Sequence, residues 1–144
     1  MLGLATAAFA DPQPSIDVPA GWSQTHSGNG DTTWTRDGQQ LHAKVHTFTG
    51  TLDELVRVLR NGVASDPDNA KTKVEEAAVR TCGGTLRARR VTMDIGTGPK
   101  RVVADLTVAV DGANLYEASY LRLASEPDLP EAHSAVMSLC IKPS

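Results

Sequence analysis

Two cysteines, four histidines and one arginine-rich run are the residues of this chain whose types could do chemistry. Cys82 opens "CGGTLRARR", and Cys140 stands near the far end in "SLCIKPS". A cysteine before two glycines and a basic run admits four readings: nucleophile, metal ligand, phosphate loop or half of a cross-link. A thiolate nucleophile needs a neighbouring base, and no histidine neighbours Cys82 in sequence. A phosphate loop needs its glycines to lead into a helix N-terminus, whereas here they lead into the strand-like "RARRVTMDI". What remains is an even pair of cysteines, which in an oxidising compartment bridges. The expected disulfide is Cys82–Cys140, with Cys82 closing a strand and Cys140 on the buried stripe of a last helix. Arg87 and Arg89 then form a basic rim on a sheet, able to take an anion.

Of the histidines, His42 and His46 lie on one side of a single strand, about 13 Å apart at the strand rise. His26 reaches them only if its own strand is adjacent. A metal-binding protein or hydrolase using His26, His42 and His46 is therefore the alternative reading. Neither HxH nor CxxC spacing supports it, and the G-x-S-x-G and S-x-x-K signatures are missing. No pattern calls for a cofactor. Trp22 and Trp34, on two arms of one hairpin, are either an exposed gripping pair or part of the core. With Trp22, Trp34, His42, Arg87 and Arg89 as its contact residues, the chain reads as a non-enzymatic binding or accessory protein. Its partner is an unidentified protein or small molecule, and its oligomeric state is open.

Composition narrows the classes. The chain has 144 residues and a net charge of −3, with 40% hydrophobic and 22% charged residues. That is one domain with one core and no global field toward nucleic acid. Aromatic residues make up only 4%, which argues against a stacking platform for single strands. The start, "MLGLATAAFADPQP", is apolar, small-residue rich and ends its run in Ala8-Phe9-Ala10. It reads as the remnant of a secretory signal over residues 1–10, followed by a single domain over 11–144. The expected location is periplasmic or extracellular, and no segment is long enough to be a transmembrane helix.

The positioning elements follow from periodicity. "GWSQTH" and "TTWTRD" flank the turn "SGNGD" as a hairpin, whose unbulged pairing puts Trp22, Gln24, His26, Thr32, Trp34 and Arg36 on one face. "QQLHAKVHTF" alternates as a half-buried strand. "TGTLDELVRVLRNG" is a helix capped by Thr51 and Glu54, with Asn61-Gly62 as its stop. Further strands cover Val74 to Cys82, Leu86 to Ile95, Arg101 to Val110 and Leu115 to Leu123. Hairpin parity puts Leu115, Ser119, Leu121 and Leu123 on the valine face, with Tyr116 and Tyr120 opposite. A last helix begins near Asp128, with Asp128 and Glu131 as its capping box. The class is α+β, an antiparallel sheet of about six strands packed by two main helices.

The opening "VPAGW" (Val18 to Trp22), the glycine-rich hairpin, the capped "GTLDELV" helix, the run of strands and the final helix together resemble the PsbP-like α/β/α sandwich. That family includes extrinsic photosystem subunits, a nuclear import factor and bacterial periplasmic proteins and lipoproteins. The Cys82/Cys140 pair is most similar to an uncharacterised exported bacterial branch. The resemblance implies the fold. It carries over no functional residue, because the family's functions lie in loops without a match here.

Overall fold

The computed structural model describes residues 13–64, 71–80, 85–96 and 98–142, with backbone alone for 62–64, 71–80, 85–86 and 142. The elements, in chain order, are β1 (Gln13–Ser15), β2 (Ser23–Gly28), β3 (Asp31–Arg36), β4 (Gln39–Thr47), α1 (Leu52–Ala64), β5 (Lys71–Arg80), β6 (Thr85–Ile95), a 3-10 turn (Gly98–Lys100), β7 (Val102–Val110), β8 (Asn114–Leu123), α2 (Pro130–Met137) and β9 (Cys140–Lys142). The strands form one sheet in the order β1-β9-β5-β6-β7-β8-β4-β3-β2. Every pairing is antiparallel except β5 with β9. This is the expected α+β architecture with two helices. Three-residue strands at β1 and β9 widen the sheet beyond the segments that alternation marks.

Each helix covers one face. α2 packs Ala132, Ala135 and Val136 with Leu41, Ala88, Ala109, Tyr116, Ala118 and Tyr120. α1 packs Leu55 with Val91, Ala104, Leu106 and Val108, flanked by Leu52 and Leu59. Strand parity places these two clusters on opposite sides of the sheet, here named face A (under α2) and face B (under α1). β7 lies between both layers, so Ala104 through Ala109 are all buried, without alternation. At the other extreme, β2 is an edge strand outside both helices, and all six of its residues are exposed.

The β7–β8 register matches the hairpin parity: Val110 faces Leu115, Leu106 faces Ser119, Ala104 faces Leu121 and Val102 faces Leu123. The capping box of α1 forms as read. Glu54 N donates to Thr51 Oγ1 at 3.1 Å, and Thr51 N donates to Glu54 Oε1 at 3.3 Å. The Asn61-Gly62 stop does not act, and α1 runs to Ala64. In the first hairpin Gly30 adopts φ +76°, and a Cβ there would lie 2.6 Å from Val45 Cγ1. The turn therefore needs glycine for its backbone angle and for its close approach to β4.

Three local expectations are corrected. A bulge between Gln24 and His26 pairs His26 with Thr33 while Gln24 pairs with Trp34, so His26 moves to face B, away from Trp34. Asp128 and Glu131 are not a capping box: Leu129 is the N-cap of α2, with no side-chain cap. Cys140 is not on that helix. α2 ends at Met137, and Cys140 begins β9, where it pairs with Ser15 and Ile141 returns to the core. Met137 is already 60% exposed at the end of α2, whereas β9 gains ladder partners in β1 and β5. Residues 1–10, Cys82 and its two glycines lie outside the described residues.

Candidate functional site

Face B beyond the reach of α1 carries the histidines. β4 presents Gln40, His42, Lys44 and His46 there, opposite Leu121, Ser119, Glu117 and Leu115 of β8. Asp31 and Thr33 of β3 stand opposite Lys44 and His42, and the bulge brings His26 beside Thr33. His42 is held by both ring nitrogens: Nδ1 lies 3.0 Å from Thr33 Oγ1 and Nε2 lies 2.9 Å from Gln40 Oε1. An amide oxygen only accepts, so Nε2 carries the proton and Nδ1 accepts from the threonine. The ring is neutral, and burial followed by the charge of Lys44 pushes its pKa down, against a smaller opposite pull from Asp31. Its one lone pair is thus taken. His26 and His46 are exposed. Among the described residues no group of three or more His, Cys, Asp or Glu is arranged to hold a metal ion.

Glu117 is the member of this face that the sequence reading missed. It is half-buried, and burial raises its carboxyl pKa, with Lys44 and His46 pulling down and Asp31 pushing up. One buried Asp31 carboxylate oxygen has no hydrogen-bond partner among the described residues. The signal was there: parity puts Glu117 on the same face as the β7 valines, where a carboxylate stands out.

Trp22 and Trp34 belong to face A. Trp22 is 9% exposed and meets the Tyr120 ring edge-on at 6.3 Å between centroids. Trp34 pairs with Leu41 and packs on the same cluster. The tryptophans are core, and a ligand on face B cannot reach them. Below α2 lies a polar clasp. Asp105, 1% exposed, accepts from Arg90 at 2.6 and 2.7 Å and bonds His133 Nδ1 at 2.7 Å, while His133 Nε2 reaches Asp128 at 2.5 Å. Tyr120 donates to Gln39 Oε1 and accepts from Leu129 N at 3.2 Å. These bonds span β6, β7, β8, β4 and the start of α2, and they tie α2 to face A.

Arg87 and Arg89 do lie on face B, on the far side of α1 from the histidines. Arg89 donates to Asp53 of α1 at 2.9 Å. Two adjoining hollows open there. One, of about 260 Å³, is lined by Thr51, Leu52, Asp53, Arg87, Arg89 and Val110. The other, of about 530 Å³, is lined by Asp53, Val56, Arg57, Arg60, Asn61 and Arg89. A third hollow, of about 350 Å³, has an apolar floor of Val102, Leu121 and Leu123. The five expected contact residues are therefore divided: His42, Arg87 and Arg89 share face B, and the two tryptophans are behind the sheet. Arg57 and Arg60 were not foreseen, because helical periodicity marks them only as solvent-facing.

No helix among the described residues is long and apolar enough to cross a membrane. No protein-family model matches the chain, and no curated protein matches it. Solved structures do. LpqN of Mycobacterium tuberculosis, described as involved in cell envelope biogenesis, aligns over 92% of this chain and 85% of its own, with a TM-score of 0.63 at 18% identity. A protein of Bacteroides thetaiotaomicron VPI-5482 aligns over 88% of this chain and 44% of its own, with a TM-score of 0.48 at 14% identity. The chain shares its fold with LpqN.

Proposed function

We propose that the chain is an exported accessory protein of the cell envelope that binds its partner or ligand on face B and catalyses no reaction. The observation that carries this reading is the contrast between the faces. Face A is covered over its centre by α2, two tryptophans and the Asp105 clasp, with a hollow of about 340 Å³ at its end around Gly30, Val45 and Thr47, while face B opens two hollows along α1 and a third over Val102, Leu121 and Leu123. The envelope assignment is supported by the fold shared with LpqN and by the signal-like residues 1–10, with 11–144 as the mature domain. The three-layer arrangement is in keeping with a PsbP-like sandwich. His42, with both nitrogens engaged, supports a binding rather than a catalytic role for this face.

The same proposal includes the Cys82–Cys140 disulfide. Cys140 aligns with Arg80 of β5, two residues before Cys82, and no free cysteine occurs among the described residues. The test of function is site-specific photo-crosslinking in the native host after envelope fractionation. A crosslinker at Val58, 64% exposed on α1, should give adducts in the envelope fraction, and one at Ser134, exposed on α2, should not. Adducts at Ser134 alone, or a protein confined to the cytosol, would refute the proposal.

A further inference from the structure

We propose that the groove between α1 and β6 binds a phosphate group, free or on a lipid headgroup. This rests on the reading of face B as the contact side and names the chemistry of its ligand. Four guanidinium groups from two elements line the adjoining hollows, Arg57 and Arg60 from α1 and Arg87 and Arg89 from β6. The chain as a whole is acidic at −3, so this concentration is local and not a spill-over of general basicity.

Among the described side chains one acid, Asp53, lines the groove, and it is engaged with Arg89, whose cross-strand partner on β5 is Glu76. The other acid of the first helical turn, Glu54, is turned back onto the Thr51 N–H as part of the cap. A solvated helix face interleaves opposite charges at i+3 and i+4. Here Arg60 is three residues from Arg57, and its other neighbours at that spacing are Val56, Val63 and Ala64. Arg57 has Asp53 and Glu54 at i−4 and i−3, but Arg60 has no acid at helical spacing, so an anion in the groove offsets a charge that the helix leaves uncompensated at Arg60. Planar arginine forks match phosphate oxygens in pairs, and several forks from two rigid elements suit a group with several charged oxygens. Arg89 is only 13% exposed and fixed by Asp53, which gives the groove one guanidinium held in place between the two hollows.

The experiment uses the full oxidised chain. Inorganic phosphate should raise the thermal midpoint above sodium chloride of matched ionic strength. The double variant Arg57→Gln, Arg60→Gln changes two exposed side chains and should keep the fold, while its phosphate Kd rises about tenfold or more. Lys100→Gln, an exposed cation in the 3-10 turn, should leave that Kd unchanged. Pelleting with phosphatidylglycerol vesicles, but not phosphatidylcholine vesicles, and its loss in the double variant would assign a lipid headgroup. Phosphate binding without pelleting would assign a soluble phosphate. No midpoint rise beyond chloride, an equal loss in Lys100→Gln, or preference for polyglutamate over phosphate overturns the proposal. Absence of phosphate binding in a protein that still crosslinks through Val58 sinks this inference alone. Phosphate binding by a protein that never reaches the envelope sinks the accessory role alone.

Discussion

His133 and His42 share an unperturbed pKa of 6.5 and are driven in opposite directions. Burial alone would lower His133, but its bonds to Asp105 and Asp128 outweigh that and raise it. The folded state then holds its proton more tightly than the unfolded chain. That contribution is fully present below about pH 6.5 and is lost as pH rises through the raised folded value. His42 is lowered, so the folded state resists its protonation, and stability falls as pH drops below about 6.5 toward the lowered value. Denaturant unfolding across this range should show both slopes. His133→Gln should flatten the loss on the alkaline side, and His42→Gln the loss on the acid side. An alkaline slope unchanged in His133→Gln would show that the clasp does not bind the proton differentially. At this scale the sequence was partly readable. It marked His42 as a candidate, but nothing local in "EAHSAV" discloses that His133 would meet Asp105, 28 residues away and on another layer.

Two stretches with the same cap pattern behave differently at the scale of the element. Thr51 and Glu54 close a reciprocal box on α1, whereas Asp128 and Glu131 do not cap α2. The difference is tertiary. Asp128 is drawn to His133 at 2.5 Å and Arg122 at 3.5 Å, and Glu131 to Arg36 at 3.3 Å, so neither carboxylate is left for the helix terminus. Local chemistry was legible where no long-range partner competed for it, as at Thr51 and in the parity of the β7–β8 hairpin. It failed where one did, and also at the Gln24/His26 bulge, since a one-residue slip leaves no mark in an alternating polar strand. Thr51→Ala should cost about 1 kcal/mol of stability in denaturant unfolding. Asp128→Ala should leave the α2 N-terminus helical by amide exchange and lower the stability through His133 instead. Rapid exchange confined to the first turn of α2 in that variant would restore Asp128 as a cap.

Over the whole molecule, alternation revealed the strands but not their order, and the order decides which residues meet. The candidate contact set was divided because parity says which residues of one strand share a side. Which side of one strand matches which side of the next becomes visible only through the pairings β8–β4 and β4–β3. The order also brings the two ends of the described chain together: β1 pairs with β9, and β9 meets the sheet through one parallel step to β5 at Arg80 and Cys140. Two three-residue strands are a weak edge, with few ladder bonds to hold them. A Cys82–Cys140 cross-link would fasten that edge to β5 and remove the entropy of a long loop from the unfolded chain, worth about 4 kcal/mol in the chain-entropy model. Cys140→Ser should therefore lower the thermal midpoint by about 10 °C. The loss should be matched by reduction of the wild type and should not add to it. Hydrogen exchange should rise first in Gln13–Ser15 and Cys140–Lys142, because those strands lose their tie to β5 while β6, β7 and β8 keep both helices. Native mass spectrometry that finds two alkylatable thiols in the exported protein would refute the cross-link, and the edge would then rest on its ladder bonds and Ile141 alone.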